Sequence, residues 1–247
     1  MKILTYGNDE RVRECARLLE GARLSVPSLM LLPIPVTKDK KHINGTDIEL
    51  SELLEKMESG MLVVGYGIPR EMRLGAASEF CDVMCDESFL RENARLTALG
   101  TLGYILSTSD CAPPDLSVGV IGYGRIGSEL VRELLFLGAS VTVYTSKKET
   151  RVALGALGIK TRSADYGAAS PELSDIDVLI NTAPARLIGE GDLPALSDTR
   201  LIELASGDNF PSGAAVERLA SLPARLYPKS AGRAYYNSVM RMVGGAV

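Results

Sequence analysis

Hydrophobic and polar positions follow two alternating patterns along the chain. Short apolar runs, typical of buried strands, occur at residues 2–6, 29–34, 61–64, 81–84, 117–121, 140–144, 178–181 and 201–204. Between them, apolar residues spaced three or four apart predict helices at 10–20, 48–58, 69–78, 88–107, 125–137 and 149–157. A last strand is predicted near 224–227 and a last helix at 230–243. Strands that alternate with helices predict parallel sheets covered by helices on both faces.

The loop at residues 109–115 divides this pattern, because Pro113 and Pro114 make it the strongest boundary signal in the chain. We expect a first domain over residues 1–88 and a second over 89–229. The C-terminal segment 230–247 is expected to return to the first domain as a helix.

Composition and charge exclude several classes of protein. The chain has 247 residues, of which 46% are hydrophobic and 23% charged, as in ordinary globular proteins. The net charge is −4 and no basic run exceeds two lysines, so we expect no nucleic-acid partner. No run approaches the ~18 apolar residues of a membrane span. The first residues lack the apolar core of a signal peptide, so a cytoplasmic protein is expected. The sequence leaves the oligomeric state open, homo-oligomers included.

The cysteines do not predict a metal site or a disulfide framework. Cys15, Cys81, Cys85 and Cys111 include no Cys-x-x-Cys pair, and we interpret them as reduced thiols. The chain has a single histidine, His42, and Cys81 with Cys85 alone cannot supply the four ligands of a zinc site. No bound metal is therefore predicted.

A glycine motif between a predicted strand and a predicted helix carries the strongest chemical signal. It consists of Gly122, Tyr123, Gly124, Arg125, Ile126 and Gly127. In this context a Gly-x-Gly-x-x-Gly turn is typical of dinucleotide binding. The first glycine permits the tight turn, the second lets the backbone approach a pyrophosphate, and the third allows close packing of helix and strand. A βα turn without a ligand is the structural alternative.

The end of the next strand bears on the choice of cofactor. NAD-binding proteins usually place an acidic residue there, about 20 residues beyond the first glycine. This chain instead has Thr145, Ser146, Lys147 and Lys148. Hydroxyl and ammonium groups suit the 2′-phosphate of NADP, whereas a carboxylate would repel it. NADP is therefore favoured over NAD, which stays the second choice. The alternative is that both lysines belong to a solvated loop.

The turn at 122–127 closely resembles that of the D-2-hydroxyacid dehydrogenases. In those enzymes an arginine follows the fifth strand of the cofactor domain, and a late histidine is oriented by a carboxylate. Here residues 203–207 contain no arginine, and His42 lies far upstream in a polar loop. We interpret His42 as a surface residue rather than a catalytic base. Because reduction of a keto acid needs a proton donor, the chain is not expected to turn over simple 2-hydroxy or 2-keto acids.

A set of short segments resembles the A subunit of dipicolinate synthase, a two-domain relative of those dehydrogenases. The segments occur in the order of that family and span nearly the whole chain. They are Gly-Asn-Asp-Glu-Arg at 7–11, Leu-Pro-Ile-Pro-Val-Thr at 32–37, Asn93, Thr97, Gly100, Thr101, the glycine turn, Asn-Thr-Ala-Pro at 181–184, Leu-Ile-Glu-Leu-Ala-Ser at 201–206 and Pro-Lys-Ser-Ala-Gly at 228–232.

The resemblance implies a fold and an activity. The fold is α/β, with two doubly wound domains: a flavodoxin-like N-terminal domain and a Rossmann NAD(P)-binding domain, with the nicotinamide in the cleft between them. The activity is the NADP-linked oxidation of dihydrodipicolinate during sporulation, together with a flavoprotein-like second subunit. Besides the glycine turn and residues 145–148, the cofactor-binding residues expected are Asn181, Thr182, Ala183, Ala205 and Ser206.

Four residues are candidates for binding a small carboxylate substrate. Lys229 and Ser230 stand at the start of the last predicted helix, where free N–H groups favour anions. Lys229 could equally be a solvated loop lysine, and Ser230 could cap the helix. Thr37 and Lys38 follow the carboxyl end of a strand, where α/β sheets place their ligands.

The sequence also departs from the family pattern, so no catalytic residue is assigned. Leu99 stands where the family has a glutamate, and the Gly- and Pro-rich stretch before Pro228 is largely missing. Two alternatives to an active dipicolinate synthase follow. The chain could be a divergent enzyme with another small-acid substrate, or a non-catalytic NAD(P)-binding regulatory subunit.

Overall fold

The computed structural model describes residues 2–22, 26–74, 78–164, 173 and 175–244. The described strands are β1 (Lys2–Thr5), β2 (Ser28–Leu31), β3 (Leu62–Gly65), β4 (Glu79–Asp82), β5 (Ser117–Ile121), β6 (Ser140–Tyr144), β7 (Lys160–Arg162), β8 (Val178–Asn181), β9 (Arg200–Glu203) and β10 (Val216–Arg218). The described α-helices are α1 (Glu10–Leu19), α2 (Leu50–Leu54), α3 (Arg70–Arg73), α4 (Glu87–Thr108), α5 (Arg125–Phe136), α6 (Lys148–Ala156), α7 (Leu222–Leu226) and α8 (Pro228–Gly244).

The chain divides into two compact units, Met1–Leu96 with Pro223–Val247, and Thr97–Leu222. These bounds differ from the predicted 1–88 and 89–229. Phe89 on α4 belongs to the core of the first unit, where its ring lies 6.0 Å from that of Tyr235. Ala98, later on the same helix, belongs to the core of the second. Because α4 is continuous through both cores, apolar periodicity could not show where along it the units divide.

The first unit contains a four-stranded parallel sheet in the order β1-β2-β3-β4. The two central strands, β2 and β3, are buried at every position, as expected for a sheet covered on both faces. Tyr235 of α8 is fully buried, and its hydroxyl lies 3.1 Å from the carbonyl oxygens of Leu32 and Val64, just beyond β2 and at the end of β3. This contact ties the C-terminal helix to the sheet. Among the described strands of this unit the order is sequential, without the reversal of a flavodoxin-like sheet.

The second unit contains a six-stranded parallel sheet in the order β10-β9-β8-β5-β6-β7. Counted from β5, this is the strand order of the Rossmann fold, which reverses direction between the first and fourth strands of the unit. The α/β class with parallel sheets is thereby confirmed. Ligands of such sheets bind outside the carboxyl ends of the strands at that reversal, between β5 and β8 here.

Several predicted elements have different bounds or a different type. The strand expected near 224–227 is wrong, because this segment is helix α7; the last described strand is β10. Pro223 suits the first turn of a helix and could not donate a hydrogen bond in a strand. The helix expected at 48–58 is limited to α2, and the described part of that expected at 69–78 is limited to α3. The remaining residues of that helix, 75–77, lie outside the described part of the chain.

Three general features of the described residues bear on function. None of the helices in the described ranges is both long and apolar enough to cross a membrane. All four cysteines are free thiols, and burial raises the pKa of Cys15 far above its ordinary range. Within the same ranges, no three His, Cys, Asp or Glu side chains converge as metal ligands.

Candidate functional site

The glycine turn lies between β5 and α5, at the carboxyl edge of the second sheet. Gly122 has φ 88°, in the left-handed region that favours glycine. A Cβ on Gly127 would lie 2.3 Å from the carbonyl oxygen of Gly122, so the helix can approach the turn only without a side chain here. A Cβ on Gly124 would meet nothing within 4 Å. Gly122 and Gly127 are thus required by the backbone, whereas Gly124 borders open space.

The start of α5 offers backbone donors beside that open space. The first hydrogen bond of the helix runs from the N–H of Ser128 to the carbonyl of Gly124 at 2.9 Å. The N–H groups of Ile126 and Gly127 precede it and have no partner within the helix. Donors at a helix N-terminus, next to a glycine that leaves the backbone open, suit a pyrophosphate. The residues present therefore fit a dinucleotide.

A cleft of about 340 Å³ opens at this turn. Eight of the predicted cofactor residues line it: Gly122, Tyr123, Gly124, Thr145, Ser146, Lys147, Thr182 and Ala183. The other lining residues were not predicted from the sequence: Tyr144, Ala164, Pro184, Ala185 and Leu187. Arg125, Ile126, Gly127, Lys148, Asn181, Ala205 and Ser206 were predicted but do not line the cleft. The site is therefore made by the ends of β5, β6 and β8.

The end of β6 presents side-chain donors to this cleft. Thr145 is buried, and its carbonyl accepts a hydrogen bond from the Arg151 guanidinium at 2.6 Å. The backbone N–H of Lys147 donates to the Thr145 hydroxyl at 3.3 Å. Ser146, Lys147 and Lys148 are exposed. Within the described part of the chain neither lysine forms a salt bridge, so Lys147, which lines the cleft, is available to an anionic ligand.

Asn181 does not line the cleft, but its buried side chain holds neighbouring residues that do. Its side chain is 1% exposed, and its amide N–H groups donate to the carbonyl of Ala183 at 2.9 Å and to Glu203 Oε1 at 3.0 Å. Its Oδ1 accepts the Ala183 N–H at 3.1 Å. Next to it, the Thr182 hydroxyl donates to the Ile121 carbonyl at 2.8 Å. Asn181 therefore positions the cleft-lining residues Thr182 and Ala183 instead of lining the cleft itself.

Glu203, at the end of β9, completes this network as a buried carboxyl group. It is 3% exposed, and its Oε1 accepts from Asn181 Nδ2 and from the Ala205 N–H, both at 3.0 Å. Its Oε2 is buried without a hydrogen bond from the described residues. Burial raises the pKa of this carboxyl, opposed by the nearby Asn209 amide and by the donors at Oε1. At this strand end the sequence drew attention to a missing arginine, and the glutamate was overlooked.

We expect Glu203→Gln to make the protein less sensitive to rising pH. Because the pKa is raised in the folded state, the stability provided by the protonated carboxyl is complete below the ordinary pKa of 4.5 and is lost as pH rises through the raised value. Each pKa unit of that rise lowers the free energy of unfolding at high pH by about 1.4 kcal/mol. Glutamine keeps an oxygen for Asn181 and Ala205 without the charge. Melting temperatures measured from acidic to mildly alkaline pH should fall less for the variant than for the wild type.

Glu217→Gln is the matched control with the opposite sign. The Arg200 guanidinium, 3.0 Å away, is the main cause that lowers the pKa of Glu217. The stability that the ionised Glu217 carboxylate provides is present at neutral pH and is lost on acidification. This variant should therefore be less stable than the wild type at neutral pH and approach it in acid. Parallel melting curves for Glu203→Gln and the wild type would contradict the raised pKa of the buried Glu203 carboxyl.

The predicted substrate residues, all in the first unit, do not share one pocket. Lys229 and Ser230 line a groove of about 430 Å³, which does not include Thr37 or Lys38. Thr37 accepts the Lys40 N–H at 2.9 Å and closes a turn in the loop after β2. Ser230 is not the N-cap of its helix, because α8 begins at Pro228. The alternative helix-capping role is therefore wrong.

His42 lies in the loop after β2, and its side chain is 34% exposed. Its Nδ1 is 2.7 Å from Asp39 Oδ2, and its backbone N–H donates to Asp39 Oδ1 at 2.8 Å. Hydrogen bonds from the His42 ring and from the backbone N–H groups of His42 and Lys41 hold the pKa of Asp39 well below its usual range. The carboxylate thus closes the loop and orients the ring.

The comparisons with known proteins support the fold. The chain matches no protein-family model, and none of the curated proteins matches it. Among solved structures, the A subunit of dipicolinate synthase from Bacillus halodurans is similar with a TM-score of 0.80 at 22% identity, covering 98% of this chain and 97% of that one. The A chain of dipicolinate synthase from Bacillus subtilis has a TM-score of 0.77 at 19% identity, with 99% and 96% covered.

A more distant likeness concerns the D-2-hydroxyacid dehydrogenases. The NAD-complexed D-isomer-specific 2-hydroxyacid dehydrogenase from Lactobacillus delbrueckii ssp. bulgaricus has a TM-score of 0.55 at 13% identity, covering 99% of this chain and 98% of that one. The resemblance predicted from short motifs is thereby confirmed at the level of the fold: the chain has the α/β fold of the A subunit of dipicolinate synthase.

Proposed function

We propose that the chain is an NADP-dependent oxidoreductase that takes a hydride from a small cyclic dicarboxylate such as dihydrodipicolinate. The observation that carries the proposal is the cleft beside Gly124, with backbone donors at the start of α5 and the Lys147 ammonium at the end of β6. A nicotinamide bound there would supply the hydride acceptor. The fold shared with the A subunit of dipicolinate synthase supports the substrate class.

The residues of this chain have distinct parts in the proposal. The N–H groups before the first helical hydrogen bond of α5 hold the pyrophosphate. Asn181, fixed by Glu203, keeps residues 182 and 183 in place as the wall of the cleft. We expect a cytoplasmic protein that acts on its substrate together with a flavoprotein-like second subunit.

Lys147 is expected to set the preference for NADP. A charge-assisted hydrogen bond to the 2′-phosphate contributes about 1.5–3 kcal/mol, so Lys147→Ala should weaken NADP binding by about tenfold or more and leave NAD binding nearly unchanged. Lys148→Ala is the matched control, because Lys148 does not line the cleft. Calorimetric titration of both cofactors into the three proteins measures the effect. An equal loss of NAD and NADP affinity in Lys147→Ala would contradict the assignment.

A second candidate function is a non-catalytic nucleotide-binding subunit. The only ionisable side chains among the described residues that line the cleft are those of Tyr123, Tyr144 and Lys147, and none is a carboxylate or histidine. Assays of NADP reduction with dihydrodipicolinate, with and without the flavoprotein-like second subunit, separate the two functions. Turnover supports the oxidoreductase; nucleotide binding without turnover supports the regulatory role. Simple 2-hydroxy acids should give no useful rate in either case.

A further inference from the structure

We propose that Arg151 is a positioning residue for the choice between NADP and NAD, although it does not itself line the cleft. Arg151 lies in the first turn of α6, and its guanidinium donates to the Thr145 carbonyl at 2.6 Å. Helical side chains point towards the N-terminal end of their helix, so an arginine at this position can hold the strand end that precedes it. The inference rests on the proposed function, because it presupposes a dinucleotide in the cleft.

Three hydrogen bonds connect Thr145, Lys147 and Arg151 in a closed ring. The Arg151 guanidinium donates to the Thr145 carbonyl, the Lys147 N–H donates to the Thr145 hydroxyl at 3.3 Å, and the Arg151 N–H donates to the Lys147 carbonyl at 3.1 Å. The Thr145 N–H donates to the Arg162 carbonyl of β7 at 3.1 Å, which ties this ring to the sheet. The Arg151 side chain is the only side-chain donor in the ring. Its removal would therefore loosen the backbone that carries the Lys147 ammonium.

The start of α6 carries positive charges where a helix does not favour them. Lys147 is the N-cap residue and makes no side-chain capping bond, Lys148 is the first helical residue, and Arg151 follows in the same turn. Cations at a helix N-terminus are opposed by the helix dipole, and lysine is a poor N-cap. Glu149 is the acid of this turn, yet Arg151 forms no salt bridge in the described part of the chain. Local choices that cost stability occur mainly at functional sites, and an anion bound in the cleft would offset this cost.

The position of Lys147 matters more for NADP than for NAD. The two cofactors differ by one phosphate group, and a charge-assisted hydrogen bond to that group requires the ammonium at about 2.7–2.9 Å. NAD carries a hydroxyl in the same place and gains little from a nearby ammonium. Loosening of the strand end should therefore weaken NADP binding selectively. General damage to the cleft would instead weaken the binding of both cofactors.

A double-mutant cycle tests the inference. NADPH and NADH are titrated calorimetrically into the wild type, Arg151→Met, Lys147→Ala and the double variant. Arg151→Met should weaken NADPH binding by about fivefold or more and leave NADH binding nearly unchanged. In the Lys147→Ala background the same change should cause no further loss, because the residue that Arg151 positions is already absent.

Arg132→Met is the matched control. It removes one positive charge from the same unit, but Arg132 lies on α5, is exposed, and does not line the cleft. Its affinities for NADPH and NADH should equal those of the wild type.

Two results would overturn the role of Arg151. Equal losses of NADPH and NADH affinity in Arg151→Met would show general damage to the cleft. A loss of NADPH affinity that is as large without Lys147 as with it would show that Arg151 acts by its own charge. An unchanged preference for NADPH in Arg151→Met would also refute the inference and leave the proposed function standing. A wild type that binds neither dinucleotide would contradict the proposed function and, with it, this inference.

Discussion

Arg11→Met is expected to lower the free energy of unfolding by about 3–5 kcal/mol, because it removes one partner of a buried ion pair. Arg11 and Asp9 have side chains only 5% and 8% exposed, with Nη2 and Oδ2 2.7 Å apart. The same Nη2 donates to the Ile34 carbonyl at 2.7 Å, and Asp9 Oδ2 accepts the Ile34 N–H at 3.1 Å. The pair therefore joins the loop after β1 to the loop after β2. Methionine fills the space but leaves the Asp9 carboxylate buried without a cation.

Arg13→Met is the control for this effect. Arg13 lies two residues further along the same helix and pairs with Glu10, but both side chains are more than half exposed. Exposed pairs contribute less than about 1 kcal/mol. Urea unfolding of the two variants should therefore separate them clearly. A loss for Arg11→Met no larger than that for Arg13→Met would show that the buried pair does not stabilise the first unit.

Gly127→Ala is expected to disrupt the nucleotide site and to destabilise the second unit. The added Cβ would lie 2.3 Å from the Gly122 carbonyl oxygen and 3.0 Å from the Thr182 hydroxyl. Because the nearest atom belongs to the backbone, no rotamer change can relieve the clash, and the helix must move away from the turn. Overpacking of this kind costs about 1–3 kcal/mol or more. Calorimetry should show little remaining NADPH affinity, together with a lower melting temperature. Wild-type values for both would contradict the close packing of α5 on the turn.

The sequence predicted the second unit better than the first for a physical reason. The strands at 117–121, 140–144 and 178–181 have the predicted bounds, because they lie inside the sheet and most of their residues are buried. The edge strands β7 and β10 were missed, because their residues are largely polar and part exposed. In the first unit, the sequential strand order depends on pairing between distant segments, which hydrophobic periodicity does not report.

The residues of the candidate site could be predicted from the sequence where phosphate binding requires a particular residue type. The other lining residues could not be predicted in this way. The glycine turn and the lysine-bearing strand end were found because phosphate binding constrains both. Ala164 and Leu187 line the cleft with apolar side chains that carry no such signal. Asp9 and Arg11 belonged to a segment singled out by family resemblance, yet the structure gives them a stabilising contact.

Titration of NADPH into the wild type and into Gly124→Val tests the central claim most directly. A side chain at Gly124 has open space around its Cβ, so the fold should tolerate valine and the melting temperature should not change. The same side chain would stand where the backbone has to approach the pyrophosphate. We predict saturable binding of NADPH to the wild type, one molecule per chain, and none to the folded variant. No binding to the wild type, or equal binding to both proteins, would contradict the claim that this cleft holds a dinucleotide.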